Sequence, residues 1–266
     1  MDDISDIKRY YDKTHDEDIR LDRHQLERDL TWRYLDAFLP FAGHLLEIGA
    51  ASGGYTLGLA RRGYRISAFD LSETLTEQRR AKLDQAGLGA QVTHHIGDAR
   101  DLSEFRGQTF AAALVMGPLY HLVDENDRRL VLEQVYDLLR PEGVIFSAFI
   151  CRYGILGDLM RSIPAWIEHQ AEVRSVIEHG RDPEDWPRGG FRGYFATVAE
   201  VAPLHESLGF ETLTLAAVEP AISADDESYN QLEGRQRQLW LDLLFEISTE
   251  PSTLGASRHL FYVGRK

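Results

Sequence analysis

The sequence predicts an α/β protein: a Rossmann-like, seven-stranded, mostly parallel sheet with an antiparallel edge strand and helices on both faces. Three observations predict it. Short apolar runs alternate with amphipathic helical stretches between residues 44 and 151. A turn of very small residues, 49–54, joins the first run to its helix. The run 110–116 is continuous Ala, Leu and Val without polar alternation, as expected of a strand covered on both faces.

In order along the chain, residues 2–39 read as helical. Ile4, Ile7 and Tyr11 recur at 3–4 spacing, as do Leu26, Leu30, Tyr34 and Phe38, and Pro40 stops the second segment. Between them, 12–24 is dense in charge (Asp12, Lys13, Asp16, Glu17, Asp18, Arg20, Asp22, Arg23) and reads as an exposed arm. Strands follow at 44–48, 65–69 (ending in Asp70), 92–96 (ending in Gly97 and Asp98), 110–116 and 143–150. The helix at about 55–62 comes after the small-residue turn. Thr74 and Glu77 form a capping-box pattern for the next helix. Asp124 caps a third, whose Val131, Val135, Leu138 and Leu139 share a face, and Pro141 and Gly143 end it. Strands alternating with helices in this way imply parallel βαβ units with right-handed crossovers.

After Cys151 the alternation breaks. Residues 152–195 read as one or two helices and then an irregular stretch with Pro183, Trp186, Pro187, Gly189, Gly190, Gly193, Tyr194 and Phe195. A helix at 197–208 ends at Gly209, and a strand covers 211–218. A long helix at 226–248 carries Leu232, Leu239, Trp240, Leu243, Leu244 and Ile247 on one stripe, and 259–263 is the last strand. The close spacing of the last two strands around one helix allows an antiparallel pair at the sheet edge.

Composition narrows the function classes. The 266 residues are 43% hydrophobic and 27% charged, enough apolar material for one sizeable core. With 29 basic and 43 acidic residues the net charge is −14, which repels phosphate backbones and anionic headgroups, so neither a nucleic-acid nor a membrane partner is expected. The doublets Arg61–Arg62, Arg79–Arg80 and Arg128–Arg129 read as solvated helix surface. Cys151 is the only cysteine, so no internal disulfide exists and a reducing, cytoplasmic location is expected. The acidic, polar N-terminus is unlike a signal peptide. No apolar run approaches the roughly 20 residues that span a bilayer.

The chemistry concentrates in Leu45-Leu46-Glu47-Ile48-Gly49-Ala50-Ala51-Ser52-Gly53-Gly54, a strand running through a bare turn into a helix. Small residues let the backbone approach a ligand, and the helix N-terminus offers free N–H groups. Asp70 ends the second strand 21 residues after Gly49, where a carboxylate can accept both hydroxyls of a ribose. Gly49-x-Ala51-x-x-Gly54 also reads as a relaxed nicotinamide-dinucleotide fingerprint. Against that, Glu47 would crowd a pyrophosphate but can face an ammonium, and Asp98 can accept from an adenine amino group. Acids at 47, 70 and 98 suit a cationic nucleoside without phosphates.

With these motifs in view, the sequence resembles the class I S-adenosylmethionine-dependent methyltransferases, over roughly 43–151 and more loosely in the flanks. Residues 47–53 resemble their first motif, E/D-x-G-x-G-x-G, with Ala51 in place of the middle glycine. Asp70 resembles their ribose-binding acid, and Gly97-Asp98-Ala99 their adenine-contacting segment. Met116-Gly117-Pro118-Leu119-Tyr120-His121-Leu122 resembles the motif after strand four, whose backbone lies near the sulfonium. Leu139-Arg140-Pro141-Glu142-Gly143 resembles the turn before strand five, with Glu142 in place of one glycine. The Gly-Pro-Leu-Tyr-His-Leu form points to the bacterial small-molecule branch, and the Asn/Asp-Pro-Pro-aromatic motif of N6-adenine DNA enzymes is missing here.

The resemblance implies S-adenosylmethionine as cofactor. Its expected contacts are Glu47, Gly49, Ala50, Gly53, Asp70, Leu71, Asp98, Ala99, Met116 and Gly117. It further implies an N-terminal helix closing over the cofactor, with Tyr11 and Arg20 near its carboxylate; the competing reading makes Tyr11 core and Arg20 a surface charge. One domain is expected, divided into an arm (1–40), a cofactor-binding half (41–151), an inserted substrate cap (152–195) and a C-terminal sheet edge (196–266).

Methyl transfer is an in-line substitution at an activated carbon, so alignment and water exclusion matter more than any acid or base. His121 reads as a general base or as a packing residue of its loop, and Tyr120 as a positioning group. Glu219, at the end of strand six, either faces the cleft toward an amine or is a solvated strand-end acid. Arg152, Tyr153, Trp166, Tyr194 and Phe195 either line the acceptor side or only pack. No metal is expected: His94 and His95 are neighbours on a strand and point to opposite faces. Cys151 reads as a small apolar strand-end residue, and Ser52 lacks the G-x-S-x-G elbow.

A small-molecule methyltransferase is the leading reading. A nicotinamide oxidoreductase, an inert S-adenosylmethionine-binding regulator, and an enzyme using another sulfonium carbon stay open beside it.

Overall fold

A computed structural model describes residues 5–13, 17–181, 192–222 and 225–266. The expectations at Ile4, Asp16, Pro183, Trp186, Pro187, Gly189 and Gly190, and those on the side chains of Lys13, Glu17 and Asp18, lie outside the described residues.

Five parallel strands form the body of one sheet: β1 (His44–Ile48), β2 (Arg65–Asp70), β3 (Val92–Ile96), β4 (Phe110–Val115) and β5 (Leu139–Cys151). A two-residue β6 (Phe195–Ala196) adds to the end of β5, and β7 (Glu211–Ala217) and β8 (His259–Arg265) complete it. The order is β3-β2-β1-β4-β5-β8-β7. β8 runs antiparallel to both neighbours, so the reversed strand sits one place in from the edge. The seven expected strands are all present. The eighth, β6, is too short to carry a period in sequence.

Strand alternation divides the core in two. Leu46, Ile48, Ala113, Val115, Ile145 and Tyr262 share one cluster, with Val131, Leu132 and Val135 from the helix after β4. Leu45, Ala112, Leu114, Val144, Phe146 and Val263 share the other, with Leu30 and Leu35 from the arm and Leu59 from the helix after β1. Neither face of the central strands meets solvent, which is why 110–116 shows no polar alternation.

The arm folds as α1 (Ser5–Lys13), α2 (Glu17–Arg23) and α3 (Gln25–Phe38). The charged stretch is exposed only in part: Ile19, Asp22 and Arg23 are exposed, but Leu21 is buried, and a Cβ on Gly54 would meet it at 2.8 Å. α4 (Gly54–Arg61) follows the small-residue turn. α5 (Glu73–Gln85) starts one residue before Thr74, and its cap is Ser72, whose Oγ accepts from the Leu75 N–H at 3.0 Å. After β4 come a short α6 (Pro118–His121) and α7 (Glu125–Leu138), capped by Asp124 as expected.

The cap region holds α8 (Leu156–Ser162) and α9 (Gln170–His179), and α10 (Val198–Glu206) precedes β7. The long C-terminal helix is broken into α11 (Asp226–Asn230) and α12 (Gly234–Ile247), with Gly234 at φ +51°, before a short α13 (Pro251–Leu254). The break shifts the buried face of α12 to Leu241 and Leu244, leaving Leu239, Trp240 and Leu243 about half exposed.

Two arginines read as surface are core. Arg79 is fully buried and Arg128 nearly so, each on the stripe its helix turns inward: Leu75, Thr76, Arg79, Leu83 on α5, and Arg128, Val131, Leu132, Val135 on α7. Among the described residues, no helix is long and apolar enough to cross a membrane.

Candidate active site

The cleft opens where β1, β2, β3 and β4 end, because each strand delivers its chain to a loop on the same side of a parallel sheet. The turn after β1 is tied down by its own backbone: the Gly49 and Ala50 N–H groups both donate to the Phe69 carbonyl, at 2.9 and 3.2 Å. Gly49 has φ +79°, and a Cβ there would lie 2.5 Å from the Met116 carbonyl oxygen. Its bareness thus serves a contact between two loops as much as a ligand. Gly53, at φ +90°, turns from the cleft and lies on Arg79, whose Cγ a Cβ would meet at 2.8 Å.

Arg79 underpins the turn. Its guanidinium donates to the Ala51 carbonyl, to the Ala68 carbonyl at 3.3 Å and to Thr76 Oγ1 at 3.2 Å, and its Nε donates to His94 Nδ1 at 3.2 Å. Burial and that guanidinium bring His94 down to about 4, so the ring is neutral.

All three acids border this one cleft. Glu47 is buried; burial pushes its carboxyl up to about 7, against the Thr56 hydroxyl that donates at 2.7 Å and the nearby Arg79. Asp70 accepts the Ala51 N–H at 2.7 Å and the Ser72 N–H at 2.8 Å. Burial raises its carboxyl despite those donors. Asp98 is gripped by Arg100, with Nη2 at 2.6 Å and Nε at 2.9 Å from Oδ2, and Arg100 also reaches Asp127 at 3.0 Å. Asp98 is therefore a held acceptor that shares one guanidinium with Asp127. Glu47 and Asp70 pay for burial in raised proton affinity, as acids do when a cation or hydroxyl donors are to meet them.

On the other side of the cleft, α6 carries Tyr120 and His121. His121 Nδ1 lies 2.9 Å from the Arg192 carbonyl oxygen, and its Nε2 lies 2.6 Å from the Tyr11 hydroxyl. A carbonyl only accepts, so Nδ1 carries a proton, and when the ring is neutral Nε2 is the acceptor. The tyrosine and imidazole rings meet edge to face, with centroids 5.3 Å apart.

A buried ion chain closes the cleft beside α2. Arg20 binds Glu27 bidentately at 2.7 and 2.9 Å, Glu27 lies 3.5 Å from His259, and His259 Nδ1 lies 3.2 Å from Glu219. Arg258 bonds Glu219 at 2.7 Å and Asp226 at 2.6 Å. Burial opposes ionisation here, but Arg20 and His259 still hold Glu27 well below the usual carboxylate range. Burial likewise opposes the His259 cation, and Glu27 and Glu219 outweigh it and raise that ring. Glu219 is neither cleft-facing nor solvated, because Arg258 buries with it. Donor atoms of Glu27, Glu219 and His259, and of His24, Glu219 and Asp226, converge within 4.8 Å, but each carboxylate already holds a guanidinium, which marks ion pairing.

Of the residues expected from sequence, the cleft gathers Tyr11, Arg20, Glu47, Gly49, Ala50, Asp70, Leu71, Asp98, Ala99, Met116, Gly117, Tyr120 and His121, while Gly53 supports from behind. The cap candidates do not line it. Arg152 is spent on the Phe195 carbonyl and Glu200, Tyr194 lies under Arg128, and Tyr153 is exposed. Trp166 and Phe195 join Ile150 and Val176 in a small apolar cluster that Tyr120 also touches. Cys151 is buried, its thiol 3.6 Å from the Gly255 carbonyl oxygen. Glu27, His259 and Ala148 line the cleft without having been singled out. Glu27 was legible as part of the inward face of α3, whereas His259 needs the β5–β8 pairing to reach the cleft.

Strand order, the reversed penultimate strand and acids converging at three adjacent strand ends give the chain the architecture seen in class I S-adenosylmethionine-dependent methyltransferases. Comparison with known proteins falls on the same residues: 45–143 match the family model described as a methyltransferase domain. The chain is 28% identical over 113 residues to YqeM of Bacillus subtilis, covering 42% of this chain and 44% of that one. It is 26% identical over 138 residues to the tRNA 5-carboxymethoxyuridine methyltransferase of Escherichia coli K12, covering 50% and 51%. The chain thus spans about half the length of these curated relatives. In structure it is similar to magnesium protoporphyrin IX methyltransferase from Synechocystis PCC 6803, with TM-score 0.60 and 14% identity over 99% of this chain and all of that one, which shows a shared fold.

Proposed function

We propose that the protein transfers the methyl group of S-adenosylmethionine to a small-molecule acceptor. The observation that carries this reading is the convergence of Glu47, Asp70 and Asp98 on one cleft beside a bare turn. The donor set fits the molecule. Glu47, raised to about 7 by burial, is relieved by an ammonium. Asp70 is aimed by two backbone N–H groups and has lone pairs left for ribose hydroxyls. Bound there, S-adenosylmethionine supplies a methyl group already activated by the sulfonium.

The chain's own part is to bind, orient and keep water out. Ile7 and Leu21 cover the cleft from the arm, and Met116 and Gly117 shape the wall beside the reacting centre. His121, whose Nε2 is the accepting nitrogen of the neutral ring, serves in that form as the base for an acceptor that must lose a proton.

A tRNA acceptor is the second reading, supported by the relative that acts on tRNA. The net charge of −14 weighs against it, as does the commitment of Arg79 and Arg128 to the interior. Small-molecule and tRNA panels with labelled S-adenosylmethionine separate the two, and mass spectrometry of the spent cofactor tells methyl transfer from attack at another sulfonium carbon.

The cofactor assignment is tested by calorimetry. S-adenosylhomocysteine should bind and NAD(H) should not, and Asp70→Ala should weaken binding by about 1–3 kcal/mol. The opposite ligand preference, or an unchanged Asp70→Ala, overturns it.

A further inference from the structure

We propose that α1 is part of the catalytic machinery: Tyr11 relays the acceptor's proton to His121, and Arg192 is the positioning residue that holds both ends of this relay. The proposal rests on the methyltransferase reading of the cleft and deepens it.

The geometry at His121 leaves little choice. Its Nδ1 proton is committed to the Arg192 carbonyl at 2.9 Å, so only Nε2 is left to receive a proton. The Tyr11 hydroxyl lies on that nitrogen at 2.6 Å, and Tyr11 itself lines the cleft. A proton leaving an acceptor therefore reaches Nε2 through the phenol. The acceptor's O–H or N–H proton passes to the Tyr11 oxygen as the phenol's proton passes to Nε2, giving an imidazolium and restoring a neutral tyrosine. The acceptor keeps the electron pair with which it takes the methyl carbon, and the former bonding pair of that carbon stays on sulfur.

Arg192 ties the parts together from both of its ends. Its carbonyl fixes the His121 tautomer, and its guanidinium pairs with Asp6 of α1 at 2.8 Å, one turn and a half before Tyr11. Two residues on, the Tyr194 N–H donates to the Tyr120 carbonyl at 2.7 Å, which fastens the same segment to α6. Arg128 stacks over the Tyr194 ring at 3.5 Å while donating to the Leu122 and Val123 carbonyls at 2.7 and 3.1 Å. The helix that carries Tyr11 and the short helix that carries His121 are thus latched by one segment, and the relay is complete only with α1 closed.

The test uses the full chain saturated with S-adenosylhomocysteine and carrying ¹⁵N-labelled histidine, with the His121 resonances assigned by their loss in His121→Asn. The expected spectrum is a neutral ring protonated at Nδ1. Tyr11→Phe should move the Nε2 resonance toward a free acceptor nitrogen, and 3,5-difluorotyrosine at position 11, a stronger acid, should move it toward the protonated position. Asp6→Asn should release S-adenosylhomocysteine about fivefold faster, corresponding to about 1 kcal/mol, and shrink the difluorotyrosine effect, whereas Arg192→Lys, which keeps the ion pair, should leave release near the unmodified rate. An Nε2 resonance indifferent to both changes at position 11, or a ring protonated at Nε2, overturns the relay. Release unchanged by Asp6→Asn overturns the latch. Failure of the unmodified chain to bind S-adenosylhomocysteine overturns the underlying reading instead.

Discussion

Arg79 and Ala51 face each other across the underside of the turn after β1, the guanidinium donating to the Ala51 carbonyl while the Ala51 N–H donates to Asp70 at 2.7 Å. One buried arginine thereby fixes the residue whose N–H orients the Asp70 carboxylate. Arg79→Met removes donors from two backbone carbonyls and Thr76 in a fully buried setting, which should cost about 2–4 kcal/mol of stability. Arg80→Met, its exposed neighbour paired with Glu77 at 2.8 Å, should stay within about 0.5 kcal/mol. Urea unfolding of both variants checks the contrast.

Two of the positive-φ residues other than glycine stand where the chain departs from a glycine of the family motifs: Ala51 at φ +43° and Glu142 at φ +61°. A side chain in this region costs free energy that glycine avoids. Ala51→Gly and Glu142→Gly should each stabilise the fold by about 0.5–1 kcal/mol, read from thermal or urea unfolding, the gain being reduced by the extra freedom of glycine in the unfolded chain. Gly49→Ala is the counter-case. It joins φ +79° to a Cβ 2.5 Å from the Met116 carbonyl oxygen, and should destabilise by more than either glycine variant gains.

What was legible in the sequence was what period and residue size encode. β4 is an unbroken apolar run, the other strands to β5 are short segments between helical stretches, and the acids at the strand ends follow from counting along a parallel sheet. Less legible were features where charge and burial part company. Arg79 sits on the inward stripe of α5, but its chemistry argues for the surface until the carbonyls it caps are known. Glu219 looks like a strand-end acid because nothing local shows that Arg258, 39 residues later, will be buried with it. The partnership of Tyr11 with His121 spans 110 residues and depends on how α1 lies over the cleft. The stripe on the C-terminal helix failed for a local reason: Gly234 breaks it, and the phase of α12 is set by its contact with α3.

Glu47 makes ligand binding depend on pH. Burial raises its carboxyl to about 7, so below that pH the group is largely protonated and a cationic ligand must displace the proton. S-adenosylhomocysteine keeps its ammonium throughout this range. Affinity should therefore rise between about pH 5 and 7, by at most about tenfold per pH unit, and level off above. Calorimetry in buffers of different ionisation enthalpy should show proton release on binding near pH 6. Glu47→Gln should bind more weakly at pH 8 and lose most of this slope.

His205 makes folding depend on pH as well. It is fully buried and stacked on Tyr262 at 3.8 Å, its Nδ1–H donating to the Val201 carbonyl at 2.8 Å and its Nε2 accepting from Ser147 at 3.0 Å. Both nitrogens are satisfied only in the neutral ring, and burial brings the group down to about 4 from an unfolded value of 6.5. The unfolded chain takes up this proton first, so the stabilisation is complete above pH 6.5 and drains away as pH falls through 4, amounting to about 3 kcal/mol. Other groups titrate over the same interval, Glu47 gaining stability as pH falls and His94 losing it, so the total does not report on His205 alone. The difference between the parent chain and His205→Gln isolates the histidine. Urea unfolding should show that difference shrinking by most of 3 kcal/mol between pH 7 and pH 4.5, and a constant difference would mean that His205 is charged in the fold or relaxes to let water in.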